Sequence, residues 1–199
     1  ITFEKMEHQR LIDIQLNILR EKILSMGAET RKALQAAMRS LTERDSNLAR
    51  RVVEDDQIVD RLEVEIDRFC IEVLALRQPA AHDLRFVVAV AKITPMLERI
   101  ADHAASVAEC ALVVNAEPEL KKYVDLPLMA QTAEEMLKNA LEAFTSENAE
   151  AARRIIKQDD IIDGCYKRIF NELIAMMTEN PAVVAVAAQL LFAAKNLER

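Results

Sequence analysis

Glycine, proline and aromatic residues are scarce in this chain of 199 residues: 2 Gly, 5 Pro, no Trp, and 4% Phe, Tyr and Trp together. With Ala, Leu, Glu, Arg and Met abundant, that composition describes an all-helical protein. Positive charge is short as well. A formal charge of −7 and a pI near 5.2 argue against nucleic acid, which needs a net basic face. Cys70, Cys110 and Cys165 are odd in number and form no CxxC pair, so they read as buried apolar positions in a reducing compartment. No run of eighteen apolar residues is present and no signal-peptide pattern opens the chain, so the expectation is a cytoplasmic protein without a membrane span.

Equipment for chemistry is also thin. A ferritin-like di-iron site needs Glu-x-x-His on two helices, yet Lys5, Pro79 and Ile100 stand three before His8, His82 and His103. HExxH, Gly-rich phosphate loops and nucleophile elbows are absent too, so the chain is not expected to be an enzyme.

Six long helices are present in the pattern. The first runs from about Glu4 to Leu41 on the stripe Leu11, Ile14, Ile18, Leu19, Ile23 and Met26, interrupted but not ended by Gly27. A polar turn follows, with Asp45 or Ser46 as N-cap of a second helix that Gln78-Pro79 stops near Arg77. The third covers about Ala80 to Asn115 with Pro95 as an expected kink. Glu117 to Leu128, holding Pro118 and Pro127, reads as a linker. Helices over about Leu128–Thr145, Glu147–Thr178 and Ala182–Arg199 complete the chain.

The acids at i, i+4 are the feature to explain: Asp56 and Asp60, Glu98 and Asp102, Asp159 and Asp163, with Glu198 where a fourth pair would begin. Each pair projects two carboxylates from one helix face, where they repel unless a cation, an arginine or water intervenes. Chance alone supplies roughly five such pairs in a chain this acidic. These, however, fall in an internal repeat. Asp56-Gln57-Ile58-Val59-Asp60 matches Asp159-Asp160-Ile161-Ile162-Asp163, 103 residues on; Gln78-Pro79 matches Asn180-Pro181, and Leu97-Glu98-Arg99 matches Leu197-Glu198-Arg199. A duplicated three-helix bundle is the simplest account, with residues 1–116 and 117–199 as the two domains. Asp56 borders the apolar stripe of its helix, while Glu98 and Asp102 lie off theirs, so the carboxylates belong at a helix seam or on the surface. Two readings follow. One is hard cations such as Mg, Mn, Ca or Fe on carboxylates, with His103 the only nitrogen ligand nearby. The other is solvated acids paired with Arg61, Arg99 or Lys92.

The stretches Leu74-Ala75-Leu76-Arg77-Gln78-Pro79-Ala80-Ala81-His82-Asp83-Leu84-Arg85 and Leu97-Glu98-Arg99-Ile100-Ala101-Asp102-His103-Ala104, after Ser25-Met26-Gly27, closely resemble the PhoU family. That resemblance spans nearly the whole chain. It implies two three-helix bundles related by a pseudo-twofold, and iron or zinc clusters or other divalent ions on surface carboxylates. One site would be Asp56, Asp60, Glu98 and Asp102; another would start from Asp159, Asp163 and Glu198. The chain stops at Arg199, before the Asp-His that should complete the second, so that site is expected to be incomplete. Asn180-Pro181-Ala182-Val183-Val184 also lacks the first half's Asp-Leu-Arg. The implied function is negative regulation of phosphate uptake and phosphate-starvation signalling, between the ATPase subunit of the phosphate-specific ABC transporter and the phosphate-sensing histidine kinase. Contact with the membrane would run through those partners, and a homodimer is a further expectation. The alternatives are a metal-storage or redox bundle and a plain helical scaffold.

Overall fold

The computed structural model describes the backbone from Phe3 to Arg199 and side chains from Leu11 onward. The chain is all-α: α1 (Phe3–Thr42), α2 (Ser46–Arg77), α3 (Ala81–Val114), α4 (Asp125–Thr145), α5 (Ala149–Ile156), α6 (Asp159–Glu179) and α7 (Val184–Glu198), with a 3-10 turn at Pro181–Val183. The expected fifth stretch carries a turn at Lys157–Gln158 that divides it into α5 and α6. The linker is shorter than its prolines suggested, because Pro127 sits inside the first turn of α4, where its missing N–H has no partner to lose. α1 passes through Gly27 and α3 through Pro95 without a break.

Packing groups the described chain into two compact units, one made of the residues up to Thr30 with Gln57–Arg99, the other of Arg31–Asp56 with Ile100–Arg199. In the first, Ile12, Leu16, Leu19, Ile23 and Met26 recur at alternating steps of four and three along α1 and are buried. Val59, Ile66, Cys70 and Val73 of α2 and Phe86, Val87, Val90 and Leu97 of α3 are buried with the same rhythm. That is the seam of long helices packed side by side. Thr30 ties α1 to α3 by donating toward Leu97 O (3.4 Å) as well as Met26 O (3.0 Å), so its hydroxyl is buried without being orphaned. Arg77 Nε donates to Gln15 Oε1 (3.0 Å), and the Arg20 guanidinium lies 4.6 Å from the Phe86 ring centroid.

The second unit closes a larger core in which Leu34, Met38 and Leu41 meet Val107, Ala111, Met129, Ile169, Leu173 and Leu190. Arg168 donates twice to Asp125 Oδ1, from Nε (3.1 Å) and Nη2 (2.5 Å), holding the first turn of α4 to α6 and keeping the Asp125 carboxyl below its ordinary range. Pro181–Glu198 is the one described helical segment long and apolar enough on average to cross a membrane, with mean hydropathy 1.2. Its Val186, Ala187, Leu190, Ala193, Ala194 and Leu197 are buried in this core, while Val184 and Phe192 are exposed.

The duplication is visible in the turns. Thr42 and Thr145, 103 residues apart, both bond the carbonyl four residues back (Met38 O, 3.0 Å; Leu141 O, 2.9 Å). Arg44 and Glu147 both adopt left-handed backbone, with φ of 56° and 55°. Asp45 then caps α2 through Leu48 N (2.9 Å), and Asn148 caps α5 through Ala151 N (2.9 Å). The next connections differ. Gln78 and Ala81 are left-handed (46° and 45°) on either side of Pro79 and Ala80, whereas Asn180 is extended and caps Ala182 N.

Candidate metal centre

Asp56 falls four residues after Val52 and three before Val59, a position in the α2 seam where the rhythm of the helix expects an apolar side chain. It is half-buried there, and Asp60, one turn on, is exposed. On α3, Leu97 and Ala101 hold the buried face, which leaves Asp102 exposed beside them. The outcome is convergence: Asp56, Asp60 and Asp102 each place a carboxylate oxygen within 4.8 Å of the other two. Two unit charges at that separation repel by roughly 1 kcal/mol in water, and by several times that at the effective dielectric of a protein surface. A hard cation replaces that repulsion with attraction, and three all-oxygen donors open to solvent on one side suit Mg, Mn, Ca or oxidised Fe better than a soft metal.

The other sequence-derived residues are placed differently. Glu98 is half-buried one turn before Asp102 and is not among the converging three. In the second half Asp159 opens α6 after the Lys157–Gln158 turn, while α2 runs unbroken past Asp56. Asp159 is exposed and Asp163 half-buried, the reverse of Asp56 and Asp60. Glu198 accepts from Lys195 Nζ (2.5 Å), whose ammonium also lies 5.1 Å from the Tyr166 ring centroid. Among the described residues no second group of three His, Cys, Asp or Glu side chains converges like the first.

His103 points away from Asp102. Its Nδ1 donates to Asn196 Oδ1 (2.9 Å), an amide oxygen that can only accept, and Asn196 Nδ2 donates to Phe192 O (3.0 Å). It lines an apolar cavity of about 270 Å³ together with Asp159 and Glu198, among the second half's acids rather than the first's. The hundred-degree step between neighbouring helix residues foretold that divergence.

Comparison with known proteins decides the family. The PhoU domain matches residues 23–111 and 126–199. The chain belongs to the PhoU family. Among PhoU relatives, the phosphate-specific transport system accessory protein PhoU homolog of Aquifex aeolicus is 34% identical over 93% of this chain and 84% of its own length. The crystal structure of PhoU from Pseudomonas aeruginosa superposes with a TM-score of 0.89 at 33% identity, covering 94% of this chain and 90% of that one. PhoU from Streptococcus pneumoniae, described as a phosphate transport system regulatory protein, gives 0.87 at 27% identity over 94% and 88%. PhoU proteins are accessory and regulatory proteins rather than enzymes, and the duplicated all-α fold is theirs.

Proposed function

We propose that this chain is a negative regulator of phosphate uptake and phosphate-starvation signalling, acting as a metal-binding helical adaptor on the cytoplasmic side of the membrane. Its partners in this reading are the ATPase subunit of the phosphate-specific ABC transporter and the sensor histidine kinase. The names of the relatives support the phosphate-transport part. The convergence of Asp56, Asp60 and Asp102 is the observation that carries the metal part. A cation there, with Glu98 as a fourth carboxylate within one helical turn, would pin α2 to α3 and set the surface that partners meet. Exposed Ile71, Leu76 and Met96 add apolar contact area on the same helices, open to a partner or to a second copy. The set Asp159, Asp163 and Glu198 would be the weaker site, since Lys195 already neutralises Glu198.

Deleting the gene in its host and measuring alkaline phosphatase in phosphate-rich medium tests the reading. High activity that falls on complementation supports it, and complementation by D60N tells whether regulation needs the carboxylates. Low activity after deletion would refute the regulatory role.

A further inference from the structure

Between α1 and α2 the first unit carries an open cleft of about 540 Å³, and Asp60 is on its wall as well as in the carboxylate cluster. Three cations line it, Lys22, Arg61 and Arg68, against three carboxylates, Asp60, Glu65 and Glu72. Lys22 is committed: its Nζ is ion-paired with Glu65 and lies 5.8 Å from the Phe69 ring centroid. Arg61 Nε donates to Gln57 O (3.0 Å), which orients its guanidinium along the helix. Arg68 makes no hydrogen bond or ion pair among the described residues. With its wall charges balanced the cleft has no preference for anions. Asp56 and Asp102 of the adjoining cluster bring the neighbourhood to −2, and a divalent cation on the cluster returns it to neutral, beside guanidinium groups whose planar N–H forks match tetrahedral oxyanions. Hard cations also keep coordination positions for phosphate oxygens.

We propose that this cleft binds a phosphate-bearing anion, and that a divalent cation on Asp56, Asp60 and Asp102 switches that binding on. The inference rests on the metal reading above and adds to it a ligand class. Metal and anion then tighten each other by the same factor, as linkage requires.

Equilibrium dialysis of the purified chain, with micromolar Mn²⁺ and radiolabelled orthophosphate alone and together, reads both steps. Flotation with phosphatidylglycerol vesicles distinguishes a lipid headgroup from free phosphate. The expected result is orthophosphate, or vesicle, retention only with Mn²⁺, weakened roughly tenfold by R68A. E65Q, which removes an opposing charge from the same wall, is expected to strengthen it. Mn²⁺ bound with neither anion source retained, or retention indifferent to R68A, would overturn the cleft proposal and leave the metal reading standing. No Mn²⁺ binding would overturn both.

Discussion

Asp56 stands half-buried where a leucine would otherwise complete the α2 seam, in the place where a metal ligand is proposed. Asp60 and Asp102, both exposed, add charge to that position without adding packing. D102N is therefore expected to leave the chelator-treated protein as stable as the parent or more stable by about 0.5 kcal/mol. The same variant should lower the gain in Tm that Mn²⁺ produces, and melts with and without chelator give both values. If D102N gains as much from Mn²⁺ as the parent, the three carboxylates do not act together. The thiols make a second case. Burial pushes Cys70 and Cys110 up from 9.0 to about 11. The unfolded chain then releases those protons first, so stability is complete below pH 9 and falls as pH rises toward 11. The urea midpoint should drop across that interval, and Cys70→Ala with Cys110→Ala should flatten the drop.

At the scale of elements, the two equivalent turns invite paired substitutions. Removing either cap, D45A or N148A, is expected to cost about 1 kcal/mol, read from urea melts. Replacing either left-handed residue by glycine relieves backbone strain, and neither side chain is without a partner to lose. R44G relieves the same strain but loses a guanidinium whose Nη2 bonds Asn115 O (3.1 Å) and Glu117 O at the end of α3, so it should destabilise. This equivalence was only partly legible beforehand. Asp45 was a recognisable cap, and the acidic pairs betrayed the 103-residue offset, but Arg and Glu in left-handed turns carry no sign of it, since the position favours Gly or Asn. The Lys157–Gln158 break was likewise hidden, because neither residue is a helix breaker.

For the whole molecule, alternation of apolar residues and sparse punctuation sufficed to write down six helical stretches and their duplication. Which acids meet was not written there, since Asp56, Asp60 and Asp102 come together only through the pairing of α2 with α3, whereas Glu98 shares their spacing and stands outside. The ion pair of Arg31 with Glu134 was equally invisible: Nη2 to Oε1 is 2.6 Å, between α1 and α4. The two residues are 103 apart, so the bond joins equivalent positions of the two halves, as a pseudo-twofold relation allows. Burial opposes the Glu134 charge, but hydrogen bonds from Gln35 and Arg31 outweigh it and hold the carboxyl below its ordinary 4.5. A lowered value means that this stabilisation is present above pH 4.5 and is lost as pH falls through the folded-state value. With both side chains partly exposed, E134Q should cost about 1 kcal/mol at pH 7. As pH falls through that folded-state value parent and variant should converge, because the parent is then losing the same charge. A difference between them that stays constant through the whole acid titration would show that Glu134 holds the two halves together by shape and not by charge.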